Sequence, residues 1–270
     1  MPYANIDGRR FYYEVGGEGE TVLLLHGSFA DADILEAPAT AVSSGFRALR
    51  LDRRGHGRSS DALEPLALAD EAQELAHLLD WFSTEKVHLL AHDDGAEVAI
   101  QFALDFPARV LSLALLAPTV EGFTWTEETL AWRRDFFAVF LRSPQAAIQE
   151  RWLASEAFDV ARSQEGLFER LEAIYKRARL AGGSLDRPPH AGPKQLARLG
   201  EIHVPAAVLV GDREEAERLR CAAAIVQGIP GTKGTTFPGL SRFLHMEDSR
   251  HVMRRLTDFY LPEEEEKRTS

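Results

Sequence analysis

The stretch Val87 to Ile100, VHLLAHDDGAEVAI, constrains this chain more than any other. Val87-His88-Leu89-Leu90-Ala91 is short and apolar enough for a parallel strand buried on both faces, while Ala96, Val98, Ala99, Phe102 and Ala103 recur at helical spacing. Only Ala91-His92-Asp93-Asp94-Gly95 spans the change of pattern. A strand that becomes a helix within two residues crowds its own backbone, so it needs small residues on both sides, and Ala91 and Gly95 supply them. Asp93 stands at the apex. On these five residues alone, the Asp93-Asp94 pair equally fits an ordinary solvated turn of an α/β protein.

The pentapeptide resembles the nucleophile elbow of the α/β-hydrolase superfamily, Gly-x-Ser-x-Gly, with Ala91 for the first glycine and Asp93 for the serine. An aspartate there is similar to haloalkane dehalogenases, fluoroacetate dehalogenases and epoxide hydrolases, whose carboxylate attacks an alkyl carbon to give an ester. The resemblance covers the chain from its first hairpin to Leu261. It implies an α/β-hydrolase fold: a mostly parallel, doubly wound sheet carrying an inserted helical cap.

The pattern of the rest agrees. Tyr3–Ile6 and Arg9–Val15 alternate around Asp7-Gly8, a hairpin signal. Thr21–Leu25 is a continuous apolar run ending in His26-Gly27-Ser28-Phe29. In the superfamily, residues after such a His-Gly lend one N–H to an oxyanion hole and the residue after the nucleophile lends another. The resemblance thus assigns that role to Ser28 or Phe29 and to Asp94. A helix is expected over Ala30–Val42 and a strand over Phe46–Leu51. Asp52-Arg53-Arg54-Gly55-His56-Gly57-Arg58-Ser59 follows, the Asp-x-x-Gly-x-Gly-x-Ser string of the superfamily. It is read as a structural loop with His56 on the surface. Leu66–Phe82 is an amphipathic helix, and Val110–Leu116 the strand after the elbow helix.

Between about Val120 and Leu199 only helices are expected, over Glu127–Leu141, Pro144–Leu153 and Glu165–Leu180, with a Gly- and Pro-rich return over Gly182–Pro193. Residues 120–199 therefore form the expected cap, and residues 1–119 and 200–270 the two parts of the core. Trp125, Trp132, Phe136, Phe137 and Trp152 are its candidates for an apolar pocket. The sheet resumes at Ala206–Val210. In the superfamily the acid that orients the catalytic histidine commonly stands three residues after the following glycine, so the resemblance points to Glu214, with Asp212 a nearby alternative; both equally fit carboxylates at a helix N-terminus.

The end of the chain departs from the superfamily. Its catalytic histidine normally follows the last strand in Gly-x-Gly-His-Phe. Registered on Gly239, Phe243 and Glu247-Asp248, the position is Arg242. A guanidinium stays protonated at physiological pH and cannot deprotonate water. An Asp93 ester would have no base to release it. The sequence therefore favours non-hydrolytic chemistry, with Arg242 pairing Asp93: cyclisation, elimination, isomerisation or C–C cleavage. Two alternatives stand beside it, a hydrolase whose displaced base is His245, and a protein that only binds a small molecule.

Composition narrows the partners. At 270 residues and 45% hydrophobic content, the chain can bury one α/β domain plus an insertion. A net charge of -11 argues against nucleic acid. The acidic run Glu263–Glu266 reads as solvated. A single cysteine, Cys221, allows no internal disulfide and reads as a small buried thiol. With no apolar targeting core in MPYANIDGRRFYY and no run of membrane-spanning length, a cytoplasmic protein without a membrane partner is expected. Neither ligand spacing for a metal nor a phosphate-cradling loop is present, so no cofactor is expected and the partner is a small, partly apolar molecule.

Overall fold

A computed structural model of the chain describes residues 2–62, 66–140, 143–178 and 192–261, the side chains at 137, 139 and 140 excepted. The acidic run Glu263–Glu266 and most of the return expected over 182–193 lie outside these residues.

The chain opens with β1 (Tyr3–Ile6) and β2 (Arg9–Gly16), paired antiparallel through a turn in which Asp7 and Gly8 take φ values of 50° and 76°. Positive φ at both turn positions matches the right-handed twist of the strands. Then strands and helices alternate: β3 (Thr21–Leu25), α1 (Glu36–Val42), β4 (Arg47–Leu51), α2 (Leu68–Trp81), β5 (Val87–His92), α3 (Gly95–Asp105) and β6 (Val110–Leu116). The helix expected from Ala30 starts later. Asp31 instead caps a short 3-10 turn over Ala32–Leu35 by accepting from the Asp33 N–H.

Between β6 and β7 (Ala206–Gly211) the described elements are all helical: α4 (Glu127–Phe140), α5 (Gln145–Leu153), α6 (Asp159–Arg162), α7 (Leu167–Arg177) and α8 (Gln195–Arg198). After β7 come α9 (Ala216–Gly228), β8 (Lys233–Phe237), α10 (Leu244–Glu247) and α11 (Ser249–Tyr260). The strands form one sheet in the order β1-β2-β4-β3-β5-β6-β7-β8, antiparallel at its first two pairings and parallel from β4 to β8.

Each inner strand feeds two apolar layers, because successive side chains point to opposite faces. Leu23, Leu25, Leu89, Ala91, Leu113 and Leu115 pack with α2, α3 and α9. Val22, Leu24, Leu90, Ala114 and Leu116 pack with α1 and α11, in a cluster that continues into the cap through Phe136, Trp152, Phe158 and Tyr175. Cys221 is buried in the first layer, as expected. Helices α5 to α7 thus rest on the second of these faces, above the carboxyl ends of the central strands, where open α/β sheets place their reactive groups, while α8 packs with α3 and α9 on the other.

Candidate active site

The strand-to-helix reversal is built as its residues require. Asp93, between the end of β5 and the start of α3, has a φ of 55°, in the left-handed region that costs most residues free energy. Its N–H donates to the Leu116 carbonyl at 3.0 Å, and its carbonyl accepts from Ala96 N at 3.1 Å, which locks the turn from both sides. A Cβ on Gly95 would stand 2.5 Å from the His26 carbonyl oxygen, and one on Gly27 2.8 Å from Asp93 Cβ. No larger residue fits either place without displacing the backbone of the turn.

The side chain so presented does not meet Arg242 directly. Its partner is Arg218, on the first turn of α9, whose Nη2 donates to Asp93 Oδ1 and, at 2.9 Å, to the Ala117 carbonyl. Arg218 Nε lies 3.5 Å from Glu214 Oε2, one helical turn earlier in sequence. Arg242 closes the chain of charges from the far side, 3.2 Å from Glu214 Oε1 and 3.0 Å from Glu215 Oε1, with its guanidinium over the Trp152 ring at 5.4 Å. Burial alone would raise the pKa of Asp93. The charges of Arg218 and Arg242 overcome it and hold the carboxyl well below its ordinary range. Glu214 is depressed by the same two arginines against the same burial. Both acids are therefore anions at neutral pH.

A second carboxylate sits beside the first. Asp94 begins α3 but does not cap its own helix. Its side chain crosses to the His26-Gly27 turn and accepts from both the Ser28 N–H and the Ser28 hydroxyl. Arg53 Nη1 stands 3.8 Å behind it.

Residues 20–239 match the family described as the alpha/beta hydrolase fold. The chain belongs to that family. Among relatives of this α/β hydrolase is the dihydrolipoyllysine-residue acetyltransferase component of an acetoin cleaving system from Cupriavidus necator. It is 38% identical over 121 residues, which are 44% of this chain and 32% of that protein. The chain thus spans about a third of the length of that relative. A 2-hydroxy-6-oxononadienedioate/2-hydroxy-6-oxononatrienedioate hydrolase from Klebsiella pneumoniae is 28% identical over 245 residues, covering 86% of this chain and 85% of the relative. In fold, a thermophilic esterase from Thermogutta terrifontis superposes with a TM-score of 0.82 and 22% identity over 96% of this chain and 98% of its own.

Against the α/β-hydrolase pattern, the expected residues divide. Asp93, Glu214 and Arg242 do come together, but through Arg218, which sequence reading did not single out. The pairing expected between Arg242 and Asp93 is corrected accordingly: Arg242 is taken up by Glu214 and Glu215, and only its charge acts on Asp93. The signal for Arg218 was present as Glu214-x-x-x-Arg218, an i,i+4 acid–base spacing across the start of α9.

His245 is held away from the ion network. Fully buried on α10, it meets the Ile34 carbonyl with Nε2 at 3.0 Å and lies ring-to-edge against His92 at 4.6 Å. Burial drives its pKa well below the ordinary value, so it is neutral. His92 bonds the Arg242 carbonyl with Nε2 at 3.0 Å. His56 is not the surface residue that its glycine-rich loop suggested. Its ring is buried against His26 at 5.2 Å, and burial lowers its pKa well below the ordinary value.

Of the pocket candidates, Phe136 and Trp152 are buried and pack on the Phe29 ring, each at 5.7 Å. Phe29 itself has a φ of 61°. Trp132 is 43% exposed and stacks on Phe136. Trp125 packs against Phe123 in the layer on the other side of the sheet. The Phe137 side chain lies outside the described residues. Tyr175 was not a candidate, yet it is buried beside Trp152 and Phe158, and after burial itself the charge of Asp93 contributes most to raising its pKa. Among the described residues no group of three or more His, Cys, Asp or Glu could hold a metal ion, and no helix is long and apolar enough to cross a membrane.

Proposed function

We propose that this α/β hydrolase acts on a small, partly apolar molecule bearing a carboxylate, by non-hydrolytic acid–base or electrostatic chemistry at Asp93. The observation that carries the reading is the Asp93–Arg218–Glu214–Arg242 ion network in place of a nucleophile, a histidine and an acid. Release of an ester from Asp93 needs a base on the attacking water. His92, beside Asp93, and His245, the displaced base expected from the sequence, are tied to backbone carbonyls, and Arg242 cannot serve. The full-length relative from Klebsiella pneumoniae supports the choice of ligand, because its name specifies a substrate with two carboxylates.

The network also suggests how the chemistry is switched on. Paired with Arg218, Asp93 is a weak base. A substrate carboxylate that takes over the Arg218 guanidinium removes the largest influence lowering the Asp93 pKa, so that burial, which raises it, is opposed chiefly by the more distant charge of Arg242. Asp93 then becomes a competent base next to the bound molecule. Cyclisation, elimination, isomerisation and C–C cleavage can each begin with such a proton transfer.

The test is solvent-deuterium incorporation into a panel of 2-oxo and 2-hydroxy carboxylic acids, followed by NMR, for the wild type and Asp93→Asn. Exchange by the wild type that falls by about 10²-fold or more in Asp93→Asn is the expected result. Full exchange in folded Asp93→Asn would overturn the reading. Intact-protein mass after incubation with epoxides, alkyl halides and activated esters supplies the opposite arm. A stable adduct present in the wild type and absent from Asp93→Asn would make Asp93 a nucleophile instead.

A further inference from the structure

The carboxylate of Asp94 is held by donors from outside its own helix. Two donors of one residue, the Ser28 N–H and the Ser28 hydroxyl, converge on its two oxygens, and a buried guanidinium, 2% exposed at Arg53, backs them at 3.8 Å. Arg53 is itself held rigid by Glu71 at 3.0 Å and by the His26 carbonyl at 2.8 Å, so it cannot follow Asp94 outward. The cradle depends on Gly27, since a Cβ there would stand 3.1 Å from Asp94 Oδ1. An aspartate at a helix N-cap ordinarily satisfies an N–H of its own helix. This one leaves its helix and reaches the turn after β3 instead. Its side chain is 19% exposed, whereas that of Arg53 behind it is 2% exposed, so the occupant is far more accessible than the cradle.

We propose that Asp94 is a built-in occupant of a carboxylate-binding cradle formed by Ser28 and Arg53, and that a carboxylate ligand binds there by displacing it. A ligand carboxylate that takes this place inherits the two Ser28 donors, while the displaced Asp94 carboxylate turns out to water. A tethered group competes at a high effective concentration, so the native cradle is closed to weak anions and open only to molecules that gain further contacts under the cap. Asp94 thus acts as a selectivity filter. The choice of ligand rests on the reading of the site as one for carboxylate-bearing molecules, but the test measures binding and not turnover, so the two can fail separately.

The probe is acetate, titrated calorimetrically into the wild type, Asp94→Ala, Asp94→Asn and the double variant Asp94→Ala/Ser28→Ala, with folding of each checked by circular dichroism. Asp94→Ala should bind acetate about tenfold or more tightly than the wild type, because it vacates the cradle while keeping its donors. Asp94→Asn, whose amide oxygen still reaches the Ser28 N–H, should stay near the wild type. Adding Ser28→Ala should remove most of the gain. Equal acetate binding by the wild type and a folded Asp94→Ala would overturn the proposal. So would a gain that survives Ser28→Ala, because acetate would then be bound elsewhere, as at Arg218.

Discussion

At the scale of single residues, the Asp93–Arg218 pair is expensive to break from the arginine side. Both side chains are 11% exposed, and removing one member of a buried pair strands the other charge. Arg218→Met should cost about 3–5 kcal/mol in urea unfolding, whereas Asp93→Asn, which leaves Arg218 paired near Glu214, should cost less. The same groups set the acid limit of the fold. Asp93 and Glu214 are depressed below ordinary values of 3.8 and 4.5, so they bind protons more weakly folded than unfolded. Their contribution to stability is complete above those values and is lost as pH falls through and below them. A profile of Tm against pH should therefore decline below about pH 4.5 in the wild type and decline less steeply in Asp93→Asn.

At the scale of elements, the elbow leaves no slack between β5, α3 and the turn after β3. Gly95→Ala would drive a methyl group to 2.5 Å from the His26 carbonyl, and the turn must open to admit it. A loss of about 1–3 kcal/mol is expected in chemical denaturation, together with loss of whatever activity Asp93 supports. Much of this architecture was legible beforehand. Runs such as Thr21–Leu25 and Val110–Leu116 are apolar without alternation because both faces are covered, and that pattern survives in sequence. Arg242 was legible because fixed landmarks flank it. Arg218 was not. Its closeness to Asp93 comes from the neighbouring places of β5, β6 and β7 in the sheet, and its local spacing from Glu214 no more points to Asp93 than does that of Glu217 and Arg220, whose side chain is 60% exposed on the same helix. His56 was misread for a related reason: a loop between glycines looks solvated until the His26 ring closes over it.

For the whole molecule, the decisive joint is the one between cap and core. Arg177, at the end of α7, reaches Asp31 at 3.0 Å and Asp33 at 2.7 Å, two acids of the turn that precedes α1. Tyr175, two residues earlier, is buried under the same helix end. The Arg177 side chain is 50% exposed, so the link is open to screening by salt. Arg177→Ala leaves the buried Asp31 carboxylate, 1% exposed, without its guanidinium and should lower the global unfolding midpoint modestly. It should also speed amide hydrogen exchange in α7 by several-fold at low ionic strength, an effect that added salt reproduces in the wild type.

The loop that carries Arg242 has ties of its main chain besides those of the Arg242 side chain. His92 holds the carbonyl of residue 242, Glu247 the Ser241 N–H, and Asp212 the Gly239 N–H at 2.7 Å. None of these ties involves the side chain at position 242. The backbone there is therefore held independently of the reagent it displays, like a socket that accepts different tools, while the Arg242 side chain has its own ties to Glu214 and Glu215. A single codon could exchange a guanidinium for an imidazole with the mounting untouched, so the step between two chemistries is short in evolutionary distance even where it is complete in mechanism.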